Sequence, residues 1–138
     1  MINIEYNETF DRDLSNIIDA EFKKYADKND INFEYLPYTF VAKESDEVVG
    51  IISGKSYFNS AHITNLIVYE EHRDKDIGSK LVKAVEEYFK KKNCKTVTLD
   101  TYEFQAPNFY KKCGYELEFI REDKDDPKLT KYYFIKHL

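Results

Sequence analysis

The stretch Leu66-Ile67-Val68-Tyr69-Glu70-Glu71-His72-Arg73-Asp74-Lys75-Asp76-Ile77-Gly78-Ser79-Lys80-Leu81 decides how the chain is read. An apolar strand end runs into a charged loop, and the loop runs into an amphipathic helix. Ile77, Leu81, Val85 and Tyr88/Phe89 mark the buried stripe of that helix, predicted over residues 77–92. Glu86→Lys90 and Glu87→Lys91 support it as i,i+4 pairs in the favourable orientation. The first amides of a helix have no intrahelical partner, and the helix dipole adds partial positive charge there. Gly78 removes a side chain where a phosphate oxygen would approach, and Arg73, Lys75 and Lys80 supply cations, so the junction reads as a phosphate-binding turn. It is not a nucleotide P-loop, because the G-K-[ST] order is missing, and no G-x-G-x-x-G turn occurs anywhere.

Outward from this junction the elements alternate. Ile2, Ile4 and Tyr6 alternate with polar residues and predict an edge strand. Leu14, Ile17, Ile18, Phe22 and Tyr25 form one helical stripe over residues 9–28, ended by Asn29-Asp30. An aromatic connector, 31–37, closes at Pro37. Residues 38–43 and 48–57 predict a hairpin across Glu44-Ser45-Asp46-Glu47, and 61–68 a third strand. After the long helix come a strand at 95–101 and a short helix at 104–113 that tolerates Pro107 in its first turn and stops at Gly114. Strands at 115–120 and 131–135 close the chain. The order β-α-β-β-β-α-β-α-β-β predicts an α/β fold with a mixed sheet flanked by helices.

With 138 residues the chain is expected to form one domain, 1–138, large enough to bury a core without staples. The formal net charge of −5 argues against nucleic acid as a partner and favours a cationic substrate. Cys94 and Cys113 fit no C-x-x-C spacing, which points to a reduced, cytoplasmic setting. No signal peptide is recognisable, and no apolar run approaches the ~20 residues of a membrane span. His62, His72 and His137 share no ligand spacing, so no metal is expected.

The chain resembles the GCN5-related N-acetyltransferases (GNAT). Leu66-x-Val68 followed by Arg73-Asp74-Lys75-Asp76-Ile77-Gly78 falls on that family's [QR]-x-x-G-x-[GA] loop and the strand before it. Phe104-Gln105-Ala106-Pro107-Asn108-Phe109-Tyr110-Lys111-Lys112-Cys113-Gly114-Tyr115 is similar to its A-x-x-F-Y-x-K-x-G-[FY] segment. The likeness is good over residues 61–138; before that only the element order agrees. It implies a split between the strands at 61–68 and 95–101 that admits acetyl-CoA. Backbone groups of Leu66, Ile67 and Val68 would then meet the pantetheine arm and the thioester oxygen. Residues Arg73, Asp74, Lys75, Asp76, Ile77, Gly78 and Ser79 would hold the diphosphate, and Asn108 and Tyr110 would complete the coenzyme site.

Catalytic roles follow from the same resemblance. Tyr110 would protonate the departing thiolate, which suits a phenol with a pKa near 10. At the position of some members' catalytic Glu stands His62, expected on one strand face with Thr64 and Leu66 and suited by its ordinary pKa to base work. Asp100 and Glu103 compete for that role, and a hydrogen-bonded strand histidine is the bland alternative. Asp76 departs from the family's loop glycine. As a helix N-cap its carboxylate would compete with phosphate for the amides of Gly78 or Ser79.

The expected reaction is acetyl transfer from acetyl-CoA to a primary amine of a small molecule, by direct attack in a ternary complex. Acceptor contacts are expected from residues 33–38 and 122–126. A peptide or protein amine acceptor, an acyl-CoA-binding module without turnover, and a plain interaction domain are the alternatives. Family members often dimerise, so a homodimer is an expectation without an assigned interface.

Overall fold

The computed structural model describes residues 1–138, which divide into two compact units, Met1–Phe33 and Glu34–Leu138. The first unit holds helix α1, Arg12–Lys28. Asp11 caps it with its carboxylate accepting from the Leu14 amide at 2.8 Å, and the Asn29 side-chain amide donates to the Tyr25 carbonyl at the far end. The strand expected at residues 2–6 is absent. Alternation alone does not make a strand, since its amides and carbonyls need a neighbour to pair with.

The second unit is a six-stranded sheet formed by β1 (Tyr35–Glu44), β2 (Glu47–Tyr57), β3 (Ser60–Val68), β4 (Thr96–Tyr102), β5 (Glu116–Arg121) and β6 (Lys131–His137). The order across it is β1-β2-β3-β4-β6-β5. Only β3 and β4 run parallel, and helix α2, Ile77–Lys91, makes the crossover that a parallel pair requires. The hairpin turns at Ser45 and Asp46, both at positive φ (50° and 68°), as the two-residue turns that match strand twist demand. Pro37 lies inside β1 rather than closing a connector. An edge strand tolerates the missing N–H, and β1 pairs with β2 alone.

Alternation along the strands sends Ile52, Ile63, Val97, Leu99 and Phe134 to one face, where α2 covers them with Leu81, Val82, Val85 and Phe89. The helix expected at 104–113 is broken in two. A single 3-10 turn, Glu103–Gln105, is separated from helix α3, Asn108–Lys112, by Ala106 in the left-handed region (φ 65°) and by Pro107. Pro107 fixes φ near helical values and starts α3, but no helix passes through Ala106. Gly114, at φ 91°, ends α3 in the conformation glycine adopts without a Cβ clash.

Candidate active site

The pairing of β3 with β4 stops early. Ser60–Ile63 pair with Thr96–Leu99, yet β3 continues to Val68 and β4 to Tyr102. Residues 64–68 stay bonded to β2 on one side, while their other edge has lost its partner strand. The outer edge of Leu66, Ile67 and Val68 therefore lacks a partner strand, the arrangement that binds an extended ligand as if it were a strand, with the Val68 carbonyl accepting from Arg73.

A bulge at Thr64 shapes this opening. Ser53 pairs with Asn65 and the next residue, Gly54, with Ile63, so Thr64 is the extra residue. The bulge reverses the alternation beyond it. Leu66 pairs with Ile52 and joins the face under α2, while His62 pairs with Lys55 on the opposite face. The expectation that His62, Thr64 and Leu66 share a face is thereby corrected. A uniform period of two does not survive one inserted residue.

The loop between β3 and α2 follows the end of β3 beside the split. Asp74 and Asp76 both take left-handed φ, 66° and 60°. Aspartate tolerates this region better than most residues, although glycine is favoured there. Asp76 occupies the N-cap position of α2, but its side chain makes no cap hydrogen bond. Its carbonyl accepts instead from the Lys80 amide and the Ser79 hydroxyl, each at 3.0 Å. The first amides of α2, at Ile77, Gly78 and Ser79, thus receive no cap hydrogen bond from the Asp76 carboxylate. Gly78 has a second reason to lack a side chain: a Cβ there would sit 3.2 Å from the Phe109 ring of α3 and 3.8 Å from Val68. The start of α2, the end of β3 and α3 converge at this point.

Two expected cations are otherwise engaged. The Nε of Arg73 donates to the Val68 carbonyl at 3.2 Å, tying the loop back to β3. Lys75 reaches His72 at 3.3 Å and Glu44 at 3.7 Å. Exposed pairs of this kind contribute about 1 kcal/mol or less, so a bound diphosphate can compete for Lys75. Asp76→Gly removes a negative charge from the loop and a left-handed conformation costing an L-residue roughly 1 kcal/mol. It is expected to tighten acetyl-CoA binding about fivefold or more in a calorimetric titration; unchanged or weaker binding would contradict this account of the loop.

Tyr110 projects from α3 into the core and packs against Phe109, Tyr115 and Phe134. Burial, with a smaller contribution from Cys113, pushes its phenol up to about 12. It therefore holds its proton throughout the physiological range and can act only as a donor. Asn108, at the exposed start of the same helix, and Ser79 on α2 stand on the two elements that flank the split.

His62 lies on the other face. Its Nδ1 is 2.8 Å from the Thr98 hydroxyl, and its Nε2 is 3.8 Å from the Asp100 carboxylate. Asp100 is in turn 3.7 Å from Lys131. Burial lowers the imidazole pKa; Asp100 opposes that shift and Lys55 adds to it. A neutral imidazole at neutral pH can accept a proton. Glu103, the other competing carboxylate, sits in the 3-10 turn after β4, its amide bonded to the Thr130 carbonyl. No group of three or more His, Cys, Asp or Glu side chains is placed to hold a metal ion.

Three features escaped the sequence. The Tyr38 hydroxyl crosses over Gly54 and donates to the His62 carbonyl at 2.8 Å. Burial raises the Tyr38 phenol well above its usual value, and the nearby Tyr110 phenol raises it further. Tyr38 thus connects the backbone of the candidate base to the neighbourhood of the candidate acid. Beside it, on the His62 face, runs an open groove of about 590 Å³ lined by residues of β1, β2 and β3. Tyr35, Pro37 and Tyr38 of the 33–38 segment line it; the 122–126 segment does not. That second segment is instead folded on itself, the Asp123 side chain accepting from the amides of Asp125 and Asp126.

Comparison with known proteins agrees with this fold. A blasticidin-S acetyltransferase from Streptomyces morookaense is 29% identical over 101 residues, covering 72% of this chain and 74% of its own. The crystal structure of an acetyltransferase from Bacillus cereus superposes with a TM-score of 0.77 at 29% identity, covering 97% of this chain and 98% of that one. A Bacillus subtilis acetyltransferase solved in complex with CoA has the same fold, with a TM-score of 0.63 at 20% identity and 97% coverage of each chain. No helix is long and apolar enough to cross a membrane. The acetyltransferase (GNAT) family model matches residues 4–115, and the chain belongs to that family.

Proposed function

We propose that the chain is a single acetyltransferase domain, 1–138, that moves acetyl from acetyl-CoA to a primary amine of a small molecule by direct attack in a ternary complex. The observation that carries this reading is the split between β3 and β4, with Tyr110 on one side of the sheet and His62 on the other. Backbone groups of Leu66, Ile67 and Val68 hold the pantetheine arm, and an amide there faces the thioester oxygen as negative charge develops. Amides of residues 77–79, with Lys75, hold the diphosphate. Acetyl-CoA supplies an activated acyl group, and the chain's own residues align the amine, accept its proton and donate one to the leaving sulfur. The relatives support a small acceptor: one bears the name of an antibiotic, blasticidin S.

An amine arrives largely as an ammonium at neutral pH and must lose a proton before it attacks. His62, neutral and beside Asp100, is placed to take it. Because the imidazole pKa is lowered, the base function is present above that pKa and is lost as pH falls through it, so the acidic limb of kcat/KM lies below pH 6.5. His62→Ala is expected to abolish that limb and reduce kcat/KM about 10- to 100-fold, measured as coenzyme thiol released with a panel of amines. A limb that persists in the variant removes His62 from the base role. Absence of thiol release with every amine overturns the transfer reading.

A further inference from the structure

The groove on the His62 face carries a charge that the chain as a whole does not. The net charge of −5 favours a cationic acceptor. The groove, however, is lined by Tyr35, Pro37, Thr39, Ser53, Lys55 and Asn65 among others, with one cation and no carboxylate. Lys55 pairs in register with Pro37 on one side and His62 on the other, so the ammonium and the imidazole are cross-strand neighbours on one face. The Lys55 ammonium lies 5.6 Å from the Tyr57 ring centroid and forms no ion pair within residues 34–138. Around it are polar partners: the Asn65 amide donates to the Ser53 hydroxyl at 3.2 Å, and the Thr39 and Thr64 hydroxyls border the same space.

We infer that the acceptor is an amino-acid-like molecule, its carboxylate held by Lys55 in this groove and its amine presented to His62 and Asp100 at the split. The inference rests on the acetyl-transfer reading above and adds the class of acceptor to it. Beyond the groove's own lining, Asp100 stands 3.8 Å from His62 and shares its carboxylate with Lys131 at 3.7 Å; the acceptor's ammonium would meet this carboxylate and its carboxylate would meet Lys55. A polyamine would place its second cation against Lys55, where like charges repel. A zwitterion satisfies both ends. The hydroxyls and the Asn65 amide give further donors for a carboxylate or a polar backbone, and Tyr35 and Pro37 give an apolar wall.

The test compares each of a set of amino acids with its carboxamide and with the corresponding decarboxylated amine, following coenzyme thiol release. The carboxylate form is expected to show kcat/KM about tenfold above the carboxamide, the size of one charge-assisted hydrogen bond. In Lys55→Met that preference ratio falls to about one, in Lys55→Arg it is retained, and in Lys55→Glu it inverts towards the amine. Equal rates for acid and amide in the unmodified enzyme overturn the inference, as does a polyamine as the best substrate, or a ratio unchanged in Lys55→Met. All three leave acetyl transfer standing. Acetyl-CoA binding without thiol release for any member of the set overturns both the inference and the transfer reading.

Discussion

Gly54→Ala is expected to destabilise the protein by about 3 kcal/mol and to lower Tm by about 10 °C. A Cβ at Gly54 would collide with the His62 carbonyl oxygen and stand 2.7 Å from the Tyr38 hydroxyl oxygen. The obstacle is backbone, held on one side by β2 and on the other by β4, so it cannot swing away as a side chain would. Relief requires β3 to shift at its bulge or Tyr38 to leave, and either breaks the 2.8 Å hydrogen bond from Tyr38 to His62. Overpacking accounts for roughly 1–3 kcal/mol of the cost, and the lost bond adds about 1 kcal/mol. The functional consequence separates this position from an ordinary core glycine. Displacing the His62 backbone moves the imidazole off Thr98, so with His62 as the proposed base kcat/KM is expected to fall further than the folded fraction does. Calorimetry and activity on the same preparation read both effects, and Tyr38→Phe, which removes the hydroxyl without adding a Cβ, should show only the smaller loss. A Tm within about 2 °C of the parent would refute the steric account.

What was legible in the sequence is what depends on near neighbours. The stripe of Ile77, Leu81, Val85 and Phe89 made α2 readable, and the helix starts at Ile77 as expected. The strand–loop–helix junction was readable for the same reason, because its elements are contiguous from Leu66 to Leu81. Asp76 was recognised as the N-cap position, but its backbone conformation was not: it sits at a φ of 60°, and its carboxylate makes no hydrogen bond to the amides it was expected to occupy. Misreadings occurred where distant residues decide the outcome. Residues 2–6 alternate as a strand does, yet pair with nothing. Pro37 looked like a terminator and is instead accommodated because β1 is at the sheet edge. Thr64 carries no sign of a bulge, and only the register against Ser53 and Gly54 reveals that Leu66 and His62 face opposite ways. The groove at Lys55 depends on three strands aligned by that register, so no local pattern could disclose it.

Tyr110→Phe is expected to reduce kcat about 100-fold while Tm changes by no more than about 3 °C. The ring is what packs: its contacts with Phe109, Tyr115 and Phe134, at centroid separations of 5.0, 6.1 and 6.0 Å, survive loss of the oxygen. What disappears is the hydroxyl that the proposed mechanism sets beside the coenzyme sulfur. Burial holds the phenol at about 12, whereas an ordinary thiol has a pKa near 8.5. Complete transfer to a fully formed thiolate in water would therefore run uphill. In the proposed mechanism the phenol would stabilise the sulfur's developing charge by hydrogen bonding, with transfer completing only as burial raises the basicity of the sulfur. One donor aimed at developing charge contributes about 2.7 kcal/mol, or two decades in rate. The sign of the pH dependence follows: the donor is present at every pH below about 12, so it imposes no basic limb in the working range, and the rate deficit of the variant is the same from pH 6 to 10. A thioester with a more acidic leaving thiol needs less help from a donor and should narrow the gap between parent and variant. If kcat survives the substitution, or if the gap is insensitive to the leaving group, Tyr110 is a core aromatic and the proton comes from elsewhere.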